Sequence, residues 1–367
     1  MENYVIKQAH LVDGAIVDIL VEDGMIKQIA PMIKADVEEL SFGDDYVSAG
    51  WIDMHTHCFD KFETYGDKVD LVGYPHGVCT VVDAGTAGSD TIDELYQQAQ
   101  NAKTRVYSWL NIACTGIFAQ DELADLNRLK EDDFKAACQK YPNFIVGIKA
   151  RMSKSVLGDS GDQPLVYAKK LQKELNLPLM VHIGSAPSVL EDVVTMLEKG
   201  DVITHTLNPK ANGIRQGKQI KECAYQAIDK GIYLDLGHGT DSFSFDVAKL
   251  ALEQGIKVDT ISSDIYFRNR LNGPVYDLAT TMTKLLAVGY SLSEVIDKVT
   301  SKPAEIMNLN QFGSLEVGKV ADFTIFKLVQ EEVSLIDSTK KVVDYQQRIV
   351  PSKVIVKNQM YDLMEEE

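Results

Sequence analysis

The sequence WIDMHTH, residues 51–57, is a short apolar run that ends in two histidines. Its length is typical of a buried strand, and successive side chains of a strand point to opposite faces. His55 and His57 are two residues apart, so we expect both imidazoles on the same face. We predict that this run is the first of a series of strands, because similar runs recur along the chain.

Seven further apolar runs follow, and most are separated by amphipathic stretches such as TIDELYQQAQNAK at 91–103. Eight strand–helix repeats over roughly 260 residues are the size of a TIM barrel, so we predict an α/β fold with a (β/α)8 TIM barrel over residues 50–310. A doubly wound open sheet is the alternative, but no GxGxxG motif follows the first strand. The seven runs are 78–85, 106–114, 144–152, 178–184, 201–206, 232–239 and 260–266.

The two ends of the chain have a different pattern from the middle. Residues 1–49 alternate apolar and polar residues in short segments closed by turns, and GSLEVGKVADFTIFKL (313–328) and SKVIVKNQM (352–360) repeat that pattern. Such segments are typical of antiparallel strands. Neither end has enough strands to bury a face alone. We therefore predict one β-sandwich built from both termini, residues 1–49 plus 311–367.

Composition narrows the class of partner. The 367 residues carry a formal charge of −17, which would repel phosphate backbones, so we expect no nucleic acid partner. No apolar run reaches the ~18 residues of a membrane span. The first residues, MENYVIKQAHLVDG, lack the basic and apolar regions of a signal peptide. The five cysteines are scattered and form no CxxC motif, which is typical of reduced thiols. We expect a cytoplasmic protein that acts on a small molecule. Formation of a homo-oligomer is possible on this evidence from the sequence.

Polar residues that can bind a metal lie at the carboxyl ends of five predicted strands. A lone histidine at a strand end is more often a core residue with its hydrogen bonds made within the protein than a metal ligand. Chance placement of a whole set at one end of five strands is improbable, and that end is the active-site face of a TIM barrel. The set is His55, His57, Lys149, His182, His205 and Asp264.

Two motifs resemble the amidohydrolase superfamily of metal-dependent hydrolases, whose members have a (β/α)8 barrel. GWIDMHTH at 50–57 is similar to the family pattern G-x-[IV]-D-x-H-x-H, and GKVADFTIF at 318–326 resembles the segment that re-enters the family's β-sandwich. The resemblance covers nearly the whole chain. SSDIYFRNRLNGPVYDLATTM, from residue 262, resembles the dihydroorotase-related branch, and within it a deacetylase-like group often labelled dihydroorotase or adenine deaminase.

The resemblance implies two divalent metal ions held by side chains at the barrel mouth. Carried over to this sequence, it assigns His55, His57 and Asp264 to a more buried ion and His182 and His205 to a more exposed one. Imidazole and carboxylate ligands suit zinc, although imidazole alone does not exclude manganese, iron or cobalt.

The same resemblance implies that Lys149 bridges the two ions as an N6-carboxylated lysine, because a plain ammonium is a poor ligand. Carboxylation needs a neutral amine, which burial near cations favours. The alternative, a surface lysine or an ion-pair partner, fits poorly with the apolar run FIVGIKARM around Lys149. Asp264 is implied to move the proton from the attacking water to the leaving group, and its alternative is a ligand without that role.

Candidate substrate contacts are His238, Arg151 and Arg268, with Arg270 as a second arginine after the eighth strand. Arg151 lies two residues after Lys149 on the same face and could bind a substrate carboxylate. His238 ends the seventh strand and could contact a substrate carbonyl. The alternatives are a loop-anchoring histidine and ordinary structural arginines.

The function that we expect is hydrolysis of an amide or ester by a metal-bound hydroxide. Within the resemblance, deacylation, above all deacetylation, of an N- or O-acyl amino or hydroxy acid comes first. Ring opening of a cyclic amide, as in dihydroorotase, and deamination of adenine are the alternatives. Lys149 counts against the deaminase, because deaminase branches usually lack that lysine. A non-catalytic barrel scaffold is an alternative of another class, but such relatives typically lose metal ligands, and all six are present here.

Overall fold

The computed structural model describes residues 1–117 and 121–363, which form a parallel barrel sheet and a second, β-rich sheet. The strands in chain order are β1 Asn3–His10, β2 Ile16–Glu22, β3 Met25–Ala30, β4 Glu38–Leu40, β5 Tyr46–Ala49, β6 Trp51–Thr56, β7 Val78–Ala84, β8 Arg105–Asn111, β9 Ile145–Arg151, β10 Leu179–His182, β11 Val202–Thr204, β12 Arg215–Gln216, β13 Gln219–Ile220, β14 Tyr233–Leu234, β15 Phe323–Val329, β16 Val333–Ile336, β17 Val342–Tyr345, β18 Arg348–Val356 and β19 Gln359–Asp362.

Helices alternate with the barrel strands and cover the outside of that sheet. They are α1 Val69–Val72, α2 Ile92–Asn101, α3 Glu131–Lys140, α4 Lys154–Leu157, α5 Gln163–Leu175, α6 Leu190–Met196, α7 Glu222–Asp229, α8 Phe245–Glu253, α9 Phe267–Asn272, α10 Leu278–Val288, α11 Leu292–Asp297 and α12 Ser301–Ile306, with 3-10 turns at Tyr74–His76 and Leu126–Arg128.

The barrel sheet has seven regular parallel strands in the order β6, β7, β8, β9, β10, β11 and β14. The eighth predicted run, 260–266, is not a regular strand. It is paired on both sides by isolated parallel bridges, from Thr260 to Asp235 and from Ile265 to Thr56. The His57 amide also donates to the Ile265 carbonyl at 2.9 Å. The run therefore closes the barrel, and the TIM-barrel prediction is confirmed with an irregular eighth member.

The irregularity of the eighth run has a local cause. Asp264 has a φ of 49°, in the left-handed region that regular strands exclude. Its amide still donates to the carbonyl of His55 at 2.7 Å. The backbone turns at Asp264 and keeps its connection to the first barrel strand, β6.

The β-rich sheet joins the two ends of the chain, as predicted. Its order is β19-β18-β15-β5-β1-β2-β3, with β4 paired to β1, so the hydrogen bonds form one branched eight-stranded sheet. The join is the antiparallel pair β5–β15, in which Ala49 lies opposite Phe323. Ile6, Val21 and Phe323 are fully buried in its core. The exact residue bounds of the two predicted units stay a prediction.

A hairpin of β16 and β17 leaves this sheet and packs against the barrel. Leu335 joins the apolar core that surrounds the barrel strands. Asp337, at the end of the hairpin's first strand, is buried and accepts a hydrogen bond of 2.9 Å from the amide of Phe245, the first residue of α8. A carboxylate at a helix start satisfies a free amide, which fixes the hairpin to α8.

The inside of the barrel is apolar at the amino ends of the strands and polar at the carboxyl ends. Ile52, Met54 and Val82 pack below, where Ile306 and Met307 close the barrel. Polar buried side chains begin above this layer, at residues 53–57 of the first strand and at the ends of the others. The fold therefore gathers polar groups at one mouth, which is the active-site face of such barrels.

Candidate metal centre

Four of the six predicted ligands form one contact cluster, in which two histidines face the carboxylate of Asp264 and Lys149 contacts one of these histidines. The Nε2 atoms of His57 and His55 are 3.1 Å and 3.5 Å from Oδ1 of Asp264. The Nζ atom of Lys149 is 3.1 Å from Nε2 of His55. Strand β6 directs both histidines to this point because they are two residues apart, as their spacing predicts.

The other two histidines extend the same cluster. The ring centroid of His205 is 5.1 Å from that of His55 and 4.2 Å from that of His182. Ligand atoms of His55, His205 and Asp264 all lie within 4.8 Å of one another. Two imidazoles and a carboxylate at that spacing are a donor set that fits a divalent metal ion. This group of three differs from the group that the sequence assigns to one ion, which contains His57 in place of His205. His57 also contacts Asp264 directly.

Two of these predicted ligands are held in an unusual backbone conformation. His205 has a φ of 65° and Asp264 a φ of 49°, both in the left-handed region that side chains with a Cβ rarely adopt. Such strain costs of the order of 1–3 kcal/mol and concentrates at functional sites. Gly239, with a φ of 52°, lies beside Asp264, and a Cβ at Gly239 would overlap Oδ2 of Asp264. Glycine leaves that carboxylate room.

Burial and neighbouring charges give several of the predicted ligands protonation states that suit cation binding. It lowers the pKa of His55 to about 4 and the pKa of His205 to about 3, so both imidazoles are neutral near pH 7. Burial alone would raise the pKa of Asp264, but His55, His57 and His205 hold it well below its usual range. Burial also lowers the pKa of Lys149 to about 7, which makes a neutral amine available.

Two buried aspartates beneath the site were not anticipated from the sequence. Asp235 is fully buried and accepts hydrogen bonds from the hydroxyls of Thr204 and Thr260, both at 2.7 Å, and from Ser262 at 2.8 Å. Asp53 is also buried and accepts a hydrogen bond from the amide of Ser263 at 3.1 Å. Each is a charged residue inside an apolar run, and that signal is present in WIDMHTH and IYLDLGHG.

The predicted arginines differ in their surroundings. Arg151 is buried at the end of β9, and its Nη1 donates to both carboxylate oxygens of Glu122, at 3.0 and 3.2 Å. Arg270 donates to Asp67 at 2.7 Å. Arg268 is exposed on α9, and its guanidinium makes no hydrogen bond or ion pair within residues 1–117 and 121–363. The structural alternative therefore accounts for the contacts of Arg151 and Arg270.

His238 is engaged through both ring nitrogens. Its Nδ1 is 2.8 Å from the carbonyl of Gly239, and its Nε2 is 2.9 Å from Nζ of Lys284. Lys284 lies fully buried on α10 and also donates to the carbonyl of Pro274 at 2.6 Å. These contacts favour the alternative in which His238 anchors the loops around the site.

Lys210 is a further cation near the site that sequence reasoning missed. Its side chain lies across Gly184, with Nζ 3.5 Å from the position that a Cβ there would take. The Lys210 charge contributes, after burial and closer cations, to a pKa of His182 well below its usual range. In the described part of the chain Lys210 forms no ion pair with a carboxylate. Only the loop conformation after β11, which a sequence does not reveal, brings it here.

Comparison with known proteins agrees with the barrel and the polar cluster. The model of the amidohydrolase family matches residues 46–360, and the chain belongs to this family. It is therefore a hydrolytic enzyme, of a family whose members typically bind divalent metal ions. The resemblance and the hydrolase prediction are confirmed.

Individual relatives carry three different names. A protein of Enterococcus faecalis named deacetylase is 50% identical over 362 residues, which cover 97% of this chain and 98% of that protein. A solved structure described as an adenine deaminase is 49% identical with a TM-score of 0.97, and the match covers 99% of this chain and 100% of that one. Another, described as a dihydroorotase, is 30% identical with a TM-score of 0.91 and coverage of 99% and 98%.

The lengths and compositions of the helices can be compared with those of a membrane span. Within residues 1–117 and 121–363, no helix has both the length and the apolar character needed to cross a membrane.

Proposed function

We propose that this protein is a metal-dependent deacylase that removes an acyl group, above all acetyl, from the nitrogen or oxygen of a small amino or hydroxy acid. The observation that carries the proposal is the buried amine of Lys149, which lies 3.1 Å from the imidazole of His55, in a cluster with further histidines and the carboxylate of Asp264. That lysine favours a two-metal hydrolase over a deaminase. The deacetylase name of a relative that is 50% identical supports the choice of reaction.

The metal ligands that we propose are the six residues of the cluster. Asp264 and the two histidines of β6 would hold one ion, His182 and His205 the other, and Lys149 would bridge them. Two divalent ions, of which zinc suits these ligands best, would when bound acidify a water molecule at neutral pH and polarise the substrate carbonyl.

Lys149 would take up carbon dioxide to become the bridging ligand. The neutral amine forms a bond from Nζ to the carbon of CO2 and releases a proton, which leaves an anion with two oxygens. A pKa of about 7 means that much of the amine is already neutral near pH 7. The surroundings support this role, because in the described residues no carboxylate lies within ion-pair distance of Lys149.

Asp264 would hold and move the proton of the reaction. Its low pKa keeps the carboxylate ionised near pH 7, so it can accept a proton from the attacking water. It would then pass that proton to the nitrogen or oxygen that leaves. His238 is poorly placed for this task, because Nε2 faces Lys284 and Nδ1 faces a carbonyl.

A carboxylate on the substrate needs a positive partner at the mouth of the barrel. Arg151, His238 and Arg268 are the contacts predicted from the sequence, and Lys210 joins them because it lies near His182 without an acidic partner. Arg151 is already paired with Glu122, which reduces its free charge. We propose a small-molecule carboxylate as the substrate and neither nucleic acid nor a membrane as a partner.

Ring opening of a cyclic amide is the second candidate function. A dihydroorotase structure with a TM-score of 0.91 favours it, and the reaction is also attack of water on an amide carbonyl. The two functions differ in the leaving group, which stays attached to the product in ring opening.

The test is a hydrolysis screen with the zinc-loaded protein. The compounds are N-acetyl amino acids and O-acetyl hydroxy acids of both hands, cyclic ureides and adenine, with Asp264→Asn protein as the background control. We expect turnover of at least one acetylated acid that the Asp264 variant does not give. Turnover confined to cyclic ureides or to adenine would contradict the deacylase.

A further inference from the structure

The two histidines of β6 turn their Nδ1 atoms away from the site and toward threonine hydroxyls. Nδ1 of His55 is 2.9 Å from Oγ1 of Thr204, and Nδ1 of His57 is 2.7 Å from Oγ1 of Thr86. Both threonines are fully buried. The Nε2 atoms of the two rings point the opposite way, to Asp264. Each imidazole therefore lies between a hydroxyl on one side and the proposed metal site on the other.

For His55, the hydrogen bonds around Thr204 determine which ring nitrogen carries the hydrogen. Asp235 accepts hydrogen bonds from three hydroxyls, among them Thr204 at 2.7 Å. A hydroxyl has one proton, and Thr204 donates it to Asp235. Oγ1 of Thr204 can therefore only accept from the ring, so Nδ1 of His55 must carry the hydrogen. The lone pair of this imidazole is then on Nε2, where a metal ion would bind.

A second relay, meaning a chain from a histidine ring through a threonine hydroxyl to a buried aspartate, involves His57. Thr86 follows β7 in the loop above the strand that contains Asp83. Burial raises the pKa of the Asp83 carboxyl, and the Thr86 hydroxyl opposes that rise. A hydroxyl proton turned toward Asp83 leaves the Thr86 oxygen to accept from Nδ1 of His57, 2.7 Å away. Thr204 is the last residue of β11 and Thr86 follows β7, so the two threonines come from different parts of the barrel.

We propose that Thr204 and Thr86 are positioning residues that hold His55 and His57 as Nδ1–H tautomers, with both Nε2 lone pairs aimed at one metal ion. The inference rests on the proposed metal site, since it assigns the two rings as ligands. Removal of the partner that orients a metal-ligating histidine typically costs ~10–100-fold in metal affinity. Valine has nearly the shape of threonine without the hydroxyl, so Thr204→Val and Thr86→Val remove the relay with little change in volume.

The experiment measures zinc binding by the chelator-stripped, full-length protein against a competing chromophoric chelator. We expect Thr204→Val and Thr86→Val each to weaken Zn²⁺ binding ~10–100-fold, and the serine variants at both positions to stay within ~3-fold of wild type. Thr260→Val is the matched control. Thr260 is equally buried and also donates to Asp235 at 2.7 Å, but its hydroxyl forms no hydrogen bond with a histidine within the described residues. Its zinc affinity should stay within ~3-fold of wild type.

Three outcomes would overturn the relay: valine variants that bind zinc as wild type does, an equal loss in Thr260→Val, or serine variants as weak as valine. Circular dichroism of each metal-free variant shows whether it is folded.

A measurement on the unaltered protein keeps the inference testable if a variant fails to fold. Ring ¹⁵N spectra of the metal-free wild type, assigned with His55→Asn and His57→Asn, should show a proton on Nδ1 of both rings. Protonation at Nε2 instead would overturn it. A wild type that binds no zinc would contradict the proposed metal site, while the tautomers would still decide the relay.

Discussion

Asp264 combines a strained backbone with a carboxylate shared by two imidazoles. Its φ is 49°, and Oδ1 lies 3.1 Å from Nε2 of His57 and 3.5 Å from Nε2 of His55. Strain of this kind persists only when the surroundings hold the residue in place, here through the hydrogen bond from its amide to the His55 carbonyl. The position is suited to both a metal ligand and a proton acceptor, and the two roles make different predictions.

Asp264→Asn keeps the size of the side chain and removes the base. General acid–base assistance is typically worth ~10²–10⁴-fold, so we predict a fall of at least ~10²-fold in kcat with the fold intact. The measurement is kcat per bound metal ion. If the value returns to wild type once metal is replenished, Asp264 is a ligand without a proton-transfer role.

Lys149 gives a prediction on pH. Carboxylation needs the neutral amine, whose share rises with pH up to a pKa of about 7 and levels off above it. With dissolved CO2 held at one concentration, reactivation of metal-free protein by zinc should therefore rise ~10-fold per pH unit below neutrality and become constant above it. The measurement is the initial rate of regained activity, with ¹³C-bicarbonate to detect the carbamate by NMR.

The Lys149→Ala variant is the control for this profile. It should lose activity and much of one metal ion, and short carboxylic acids should restore part of both, because they supply the missing two-oxygen ligand. Full metal content and activity in the alanine variant would rule out the bridging role.

Strand geometry alone accounts for the positions of several residues that the sequence singled out. His55 and His57 share a face because strands have a period of two, and Lys149 is buried because its neighbours in the run are apolar. Thr204 and Asp235 escaped prediction because their partners depend on the parallel register between β11 and β14, which pairs Ile203 with Leu234. A single sequence does not contain that register.

At the scale of elements, the end of the seventh strand and the eighth run form one unit. The amide of His238 donates to the Ser262 carbonyl at 3.1 Å, and that of Gly239 to the Ser263 carbonyl at 2.9 Å. These bonds replace a regular strand pair at the place where Asp264 leaves the sheet. The eight apolar runs correctly predicted eight barrel members, but apolar spacing alone does not reveal a left-handed residue within a run.

Gly239→Ala tests how closely this unit surrounds the site. The new Cβ would overlap Oδ2 of Asp264, and the φ of 52° adds strain. We predict at least a ~10-fold loss of zinc affinity, similar to the loss of an orienting group. The measurement is zinc binding by the metal-free protein.

Gly255→Ala is the matched control for strain without contact. Gly255 has a φ of 79°, and nothing lies within 4 Å of a Cβ built there. Its free energy of unfolding should fall by about 1–2 kcal/mol with zinc affinity unchanged. Equal zinc affinities in the two alanine variants would contradict a specific contact between Gly239 and Asp264.

At the scale of the whole molecule, the alternation of apolar and polar residues at both ends was sufficient to predict the β-rich sheet that they share. It was not sufficient to predict that β16 and β17 leave this sheet. The hairpin is fixed by Asp337 at the start of α8 and by Leu335 in the barrel core, and both contacts depend on the assembled barrel.

Buried histidines make the stability of the metal-free protein depend on pH. Burial lowers the pKa of His55 to about 4 and of His205 to about 3, and it lowers the pKa values of His182 and His238 well below their usual range. In the unfolded chain these imidazoles protonate near pH ~6.5. Below that pH the unfolded state binds more protons, so stability falls as the pH falls. Asp53, whose pKa burial raises to about 7, acts in the opposite direction, as do Asp83, Glu122, Asp259 and Asp322, whose pKa values burial also raises.

We therefore predict that metal-free protein is less stable at about pH 5.5 than at about pH 7, by roughly 2–4 kcal/mol in the free energy of unfolding. Urea denaturation at the two pH values is the measurement. Equal or greater stability at the lower pH would contradict neutral, buried imidazoles in the folded state.

The most direct test of the two-metal hydrolase is the metal content of the purified wild-type protein, measured by mass spectrometry beside its activity on acetylated acids. We predict two divalent metal ions per chain, and loss of activity when a chelator removes them. Protein without bound metal that hydrolyses these compounds, or that takes up no zinc when it is supplied, would contradict it.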